Sequence, residues 1–241
     1  MEERHYTGMV RRLPRPLWDK LRGIQCGVRT LSAREIMTRA DEPLSRSALL
    51  LDGILARDVR SASGARQLVS IQVPGDFVDL HSLPLGRLDH DVVAMSTAKV
   101  ALFEHDDIKR LMAEDEEHAR QLWALTIIDA SISRHWTFRM GSMRAMAQLT
   151  NFLCEMHLRL TLCDRARDGW FELPWTQEEL GQICGLSKVH VSRVLKDIRE
   201  AGIATVRDGK AQIHDIGRAE RLGVFDPGYL FLPWSVPEDR S

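Results

Sequence analysis

Apolar positions change their spacing several times along the chain, and each change marks an element or a domain. Behind Pro16, the residues Leu17, Trp18, Leu21 and Ile24 recur at helical spacing, which predicts a short helix near the start. Residues 25–105 then read as short β segments separated by turns. Ala48-Leu49-Leu50-Leu51 precedes the turn Asp52-Gly53, and Ile54 to Val59 follows it. After Ser61-Ala62-Ser63-Gly64 the run Gln67 to Val73 alternates apolar and polar, and Pro74-Gly75-Asp76 turns again. Val92 to Met95 and Lys99 to Phe103 complete a set that suits a small antiparallel barrel or jelly roll.

From residue 106 to 164 the period becomes helical, with no Pro and only Gly141. Leu122, Leu125, Ile128, Ile132 and Trp136 form one stripe of a helix of about 25 residues, and Trp123, Ile127 and Ala130 form a second beside it. One stripe can cover the barrel and the other a second copy of the chain. The first stripe is assigned to dimerisation. Met140-Gly141-Ser142 reads as a hinge, with Gly141 weakening the helix and Ser142 capping the next. Met146, Leu149, Phe152, Leu153, Met156 and Leu160 give that next helix its apolar face.

Residues 172–216 are the most informative. Thr176 with Glu179 three positions on is a capping box, and the helix from Gln177 to Cys184 stops at Gly185. Ser187 caps a second helix that runs from Lys188 to about Ala201. Val191, Val194, Leu195 and Ile198 face Leu180, Ile183 and Leu186 across the turn, which is a helix-turn-helix pattern. Lys188, Val189, His190, Ser192, Arg193 and Lys196 lie on the outer part of the second helix, where an arginine can make two parallel bonds to a guanine edge. The hairpin Ile203 to His214 follows as a wing, with Arg207 and Lys210 at a phosphate-touching tip. A polar helix face or a hairpin alone is ordinary solvated surface; their order and spacing together point to DNA.

Charge complicates this reading. The chain has 33 Lys+Arg against 34 Asp+Glu, so any basic surface is local. Residues 172–216 hold six basic and seven acidic side chains, so Glu178, Glu179, Asp197 and Glu200 must point away from the duplex. Two paired copies would double the phosphate contacts. Hydrophobic content of 44% and charged content of 28% exclude wholesale disorder. No window reaches the ~18 uninterrupted apolar residues of a membrane span, and Met1-Glu2-Glu3-Arg4-His5 lacks an apolar leader. A soluble, cytoplasmic protein with no membrane partner is expected. Cys26, Cys154, Cys163 and Cys184 show no C-x2-C spacing, so free and mostly buried thiols are expected rather than a zinc or iron–sulfur site. Cys184 could act in a redox switch, although a small core residue is the plainer reading. Asp79, His81, Asp89, His90 and Asp91 could ligate a divalent metal, although a polar loop solvated by water is the favoured reading.

The whole order is short helix, β-roll, long helix, hinge and winged helix-turn-helix. It resembles the Crp/Fnr family of bacterial transcription regulators over nearly the full length. The resemblance is carried by Pro74-Gly75-Asp76-Phe77, Met140-Gly141-Ser142, Thr176-Gln177-Glu178-Glu179-Leu180-Gly181 and Ser192-Arg193-Val194-Leu195. It implies an α+β fold with an N-terminal antiparallel, jelly-roll-like β-roll (residues 1–106), a long dimerisation helix (107–140) and a C-terminal winged helix-turn-helix (141–241). It also implies a homodimer that reads pseudo-palindromic double-stranded DNA, with RNA polymerase as a further partner. Thr176 and Gln177 would join the outer residues of the second helix at the DNA.

Departures from the family pattern narrow the function. Many members begin the recognition helix with a glutamate where this chain has Val189, which can offer only apolar contact, as to a thymine methyl. Members that bind cyclic AMP carry Gly-Glu-Leu after the Gly-Asp-Phe turn and Arg-Ser further on. This chain has Asp79-Leu80-His81 and His90-Asp91 there. A carboxylate ~4 Å from a phosphate costs about 4 kcal/mol at an effective dielectric of about 20, so no cyclic nucleotide is expected. Cys26 is alone near the N-terminus, so no iron–sulfur cluster and no other cofactor is expected, and the effector is left open. The alternative is a cupin-like roll that senses a ligand or catalyses with a metal. It needs a His-rich interior, finds only His81 and His90 close together, and leaves the winged motif idle. No Ser-His-Asp set, P-loop or GxGxxG stands out, and an enzyme is not expected.

Overall fold

A computed structural model describes residues 7–232; the opening Met1–His5 lies outside the described residues. A 3-10 turn (Gly8–Arg12) leads into α1 (Arg15–Gly23), which carries Pro16 in its first turn and buries Leu17, Trp18 and Leu21. Strands β1 (Gln25–Leu31), β2 (Ile36–Thr38), β3 (Arg46–Asp52), β4 (Leu55–Arg60) and β5 (Arg66–Gln72) follow. Then come the single turn α2 (Ser82–Leu85), β6 (Asp91–Ala94) and β7 (Ala98–Glu104). These strands form two antiparallel sheets, β1-β7-β3 and β2-β6-β4-β5. The sheets enclose Leu31, Leu50, Leu55, Val78, Val92 and Val100 in one aliphatic cluster. Leu49 and Leu51 point the other way, into a cluster with α1 and the long helix. Both faces of β3 are therefore covered, which is why its sequence is a continuous apolar run.

The Pro74-Gly75-Asp76 turn packs against the N-terminal segment. Gly75 has φ +94°, and a Cβ there would stand 2.1 Å from the Thr7 carbonyl oxygen. Only glycine suits both the angle and the space.

Helix α3 (His105–Glu114) is separate from the long helix α4 (Glu116–Ser142), which is 27 residues or about 40 Å long. Asp115 breaks the chain between them and caps α4 by accepting from Glu117 N at 2.9 Å. The hinge expected at Met140-Gly141-Ser142 is displaced: all three residues are helical, and α4 ends at Ser142. Extended Met143 and Arg144 make the break, and Ser142 does not cap α5 (Ala145–Thr161).

The stripe assigned to dimerisation faces inward instead. Leu122, Leu125, Ile128, Ile132 and Trp136 are all 9% exposed or less. Leu122 and Leu125 join the cluster of α1 and the roll, while Ile128, Ile132 and Trp136 join the core of the C-terminal part. The second stripe is the outward one, with Trp123 64% and Ile127 47% exposed. A helix lying across two domains must turn one whole face inward, and that face is unavailable to a partner.

The C-terminal part adds β8 (Ala166–Arg167), β9 (Trp170–Glu172), α6 (Gln177–Cys184), α7 (Lys188–Glu200), β10 (Ala204–Arg207), β11 (Lys210–Ile213) and α8 (Ile216–Gly223). A 3-10 turn (Pro227–Leu230) closes it. The wing is thus part of a four-stranded sheet, β10-β11-β9-β8. Ile54, Leu68, Ile71 and Val73 of the roll share a core with Leu149, Phe152, Leu180 and Val191, so roll and C-terminal part pack as one body. Among the described residues no helix is long and apolar enough to cross a membrane.

Candidate nucleic-acid interface

Local chemistry fixes both helices of the motif. Thr176 Oγ1 accepts from Glu179 N at 3.2 Å, and Glu179 Oε2 accepts from Thr176 N at 2.9 Å, which completes the capping box. The helix stops at Gly185, with φ +66°. Gly181 allows the close crossing: a Cβ there would stand 2.3 Å from Leu186 O. Ser187 caps α7 by accepting from His190 N at 3.3 Å. Val191, Val194 and Ile198 are buried beneath the helix.

The opposite face of α7 is open. Gln177 of α6, Lys188, Val189, Ser192, Arg193 and Lys196 of α7, and Val206 of the wing line one shallow groove. Arg199 lines it too and was missed by sequence reasoning, although it lies three residues beyond Lys196 on the same face. Val189 is 70% exposed at the first turn, an apolar tip among polar neighbours. The remaining expected contacts sit around this groove. Thr176 and His190 are exposed beside it, and Arg207 and Lys210 stand at the wing tip. Arg207 Nε donates to Asp208 Oδ2 at 2.9 Å, which tempers its charge. The arrangement offers amide and guanidinium donors and one methyl-rich patch on a convex helix of major-groove width.

The acidic residues divide. Glu179 is turned inward and pairs with Arg34 of the roll, Nη2 to Oε2 at 3.1 Å. Glu200 lies 3.7 Å from Lys196 Nζ. Glu178 and Asp197 are exposed.

In the roll, the candidate acidic and histidine residues make contacts within the chain. Asp91 Oδ1 accepts from Ala40 N at 2.8 Å in the turn after β2, and Asp79 Oδ1 accepts from Ala48 N at 2.7 Å within β3, so both carboxylates are engaged by backbone. Asp89 Oδ1 lies 2.6 Å from His90 Nδ1, and the His81 and His90 rings are 5.5 Å apart. Among the described residues no three His, Cys, Asp or Glu side chains converge as metal ligands. Burial, with Arg57 beside it, pushes the His81 imidazole down to about 4, and burial pushes the Asp79 carboxyl up to about 7. Arg57 itself pairs with Asp129 of α4 and donates to Val78 O at 2.7 Å. Cys184 is fully buried and its thiol is pushed up to about 11, far from the reactive thiolate a redox switch requires. Cys26 is exposed.

Known proteins share this design. Residues 147–222 match the sequence profile of the Crp-like helix-turn-helix domain. The transcriptional activator protein FnrL of Cereibacter sphaeroides is 23% identical over 190 residues, 77% of this chain and 75% of that protein. The nitrogen fixation regulation protein FixK of Bradyrhizobium diazoefficiens is 25% identical over 173 residues, 72% of each. Among solved structures, FixK2 of Bradyrhizobium japonicum superposes with a TM-score of 0.74 at 24% identity, covering 81% of this chain and 96% of that one. Residues 147–222 thus form a Crp-like helix-turn-helix domain, and with the roll, the long helix and the capped helix pair in this order the chain is similar over most of its length to transcription regulators of the Crp/Fnr family.

Proposed function

We propose that the protein acts as a homodimer on a pseudo-palindromic double-stranded DNA site, with α7 of each copy in a major groove. The observation that carries this reading is the single groove in which Gln177, Lys188, Ser192, Arg193, Lys196 and Arg199 converge above a rigidly capped helix. Arg193 reads a guanine edge, Ser192 and Gln177 supply further hydrogen bonds, and Lys188 and Lys196 balance phosphates. Thr176, His190, Arg207 and Lys210 contact the flanking backbone. Two copies pair through the outward stripe of α4, from Trp123 through Ile127 and Ala130. In this reading the roll and long helix hold two C-terminal parts at a fixed spacing and bring RNA polymerase to the site.

The test is selection of bound duplexes from a random DNA pool, at stated salt, with the wild type and Arg193→Ala. A two-fold-symmetric site enriched by the wild type and lost in the variant supports the reading. Equal enrichment by both removes Arg193 from base reading. No enrichment by either, with and without cell extract, overturns the proposal.

A further inference from the structure

Helix α6 is held at both ends by the roll. Near its N-terminus, Arg34 places both guanidinium Nη atoms on Glu179, and Nη2 also donates to Pro174 O at 3.1 Å. Arg66 Nη1 stands 3.8 Å from the same carboxylate. Farther along α6, Gln67 Nε2 donates to Gln182 O. Arg34 lies in the turn between β1 and β2 with φ +70°, an angle that disfavours any residue with a Cβ. Strain of that kind persists where the surrounding structure uses the residue. Here the Arg34 amide donates to Ala94 O at 2.7 Å, and the side chain crosses to a partner 145 positions away.

Glu179 is the link. Its carboxylate is only 9% exposed and also caps the α6 N-terminus. That end of α6 carries Thr176 and Gln177, next to the α7 groove. A two-pronged guanidinium–carboxylate contact fixes orientation as well as charge, which a lysine cannot reproduce. It also compensates one carboxylate in a region where acidic groups outnumber basic ones.

We propose that Arg34, although part of the roll, is a positioning residue for DNA binding. It clamps the first turn of α6 through Glu179 and Pro174 and so sets the pose of the α6–α7 pair relative to the roll. Two recognition helices must meet two half-sites at once, and a pose fixed in advance spares the ordering that binding would otherwise require. The proposal rests on the DNA reading above.

The experiment measures affinity for the selected site, at two salt concentrations, for the wild type, Arg34→Gly, Arg34→Lys, Glu179→Gln and the Arg34→Gly/Glu179→Gln double variant. Glycine suits the positive φ, so the turn survives loss of the side chain, and glutamine keeps the capping box. Arg34→Gly is expected to weaken binding by roughly five- to tenfold with its salt slope unchanged. Arg34→Lys should recover part of the loss. In the Glu179→Gln background the same change should cost far less, because both act through one contact. An Arg34→Gly variant that binds like the wild type overturns the proposal. So does an undiminished loss in the Glu179→Gln background with a salt slope smaller by about 0.9, which makes Arg34 a phosphate contact. If Arg193→Ala abolishes binding while Arg34→Gly does not, the DNA reading stands and this one falls. If the wild type selects no site, both fall.

Discussion

Arg159 and Asp76 form a buried ion pair, Nη2 to Oδ2 at 2.7 Å, which ties the turn of the roll to helix α5. The same guanidinium reaches Glu155 Oε1 at 3.1 Å, and Glu155 Oε2 takes Arg139 Nη1 at 3.0 Å. Trp136 and Tyr229 also donate to Glu155. Burial alone would raise the Glu155 carboxyl, but Arg139 and Arg159 outweigh it and hold it below its ordinary value. Arg159→Met leaves two buried carboxylates short of their partner. The expected loss is about 3–5 kcal/mol, read as a lower urea midpoint. Asp76→Asn, whose amide oxygen can still accept from Val73 N, should lose less.

The two stripes of α4 predict opposite outcomes. Ile127→Glu places a charge on the outward face and should shift sedimentation toward single chains, weakening binding to a two-fold site while leaving the melt of the free chain nearly unchanged. Ile128→Ala opens a cavity inside one chain and should cost about 2–4 kcal/mol of stability without altering association. The reverse pattern would return the pairing surface to the inward stripe.

Val189 predicts a base. Replacing the contacted thymine by uracil removes one methyl group and should cost the wild type about 1 kcal/mol. Val189→Ser should bind both duplexes alike. Equal binding of both by the wild type would dismiss the methyl contact.

Asp79 and His81 give opposed pH dependences. The Asp79 carboxyl titrates near 7 when folded, above its usual value, so its contribution is greatest in acid and is lost as pH rises toward 7. His81 titrates near 4 when folded, below its usual value, so its contribution is present near neutrality and is lost as pH falls below about 6.5. Arg57, Asp129, His90 and Asp89 face His81 and set its field. Between pH 7 and 5 the two nearly cancel, at roughly 2 kcal/mol each. His81→Gln should therefore become more stable than the wild type's trend on acidification, and Asp79→Asn less stable. Urea midpoints at both pH values check the signs.

The packed interior of the roll predicts indifference to cyclic AMP. Calorimetry should give no saturable heat at micromolar affinity. Adding the phosphate-binding pair, as His90→Arg with Asp91→Ser, should not restore it while Leu50, Leu55, Val92 and Val100 fill the space between the sheets.

What the sequence revealed was mostly local. Thr176, Glu179, Gly185 and Ser187 announce the α6–α7 unit because caps and left-handed stops act within a few residues. Strand β1 escaped notice because it is a largely exposed, polar outer strand, and β8 because it is two residues long. The division of α3 from α4 at Asp115 is hidden by the acidic run Glu114 to Glu117, whose members suit helix interior and helix start alike. Two apolar stripes on one helix cannot be ranked without knowing which domain lies beneath, so the periodicity alone does not say that Leu122 is covered and Trp123 exposed. The Arg34–Glu179 contact joins residues 145 apart and leaves no periodic trace.

The outward tryptophan of α4 has a consequence for dosage. On the proposed reading, in which pairing through Trp123 and Ile127 precedes DNA binding, a single chain is half a reader. Below the pairing constant, site occupancy climbs as the square of the amount synthesised. The same reading makes the protein a threshold device for its own abundance, with promoter strength and turnover acting as its signal.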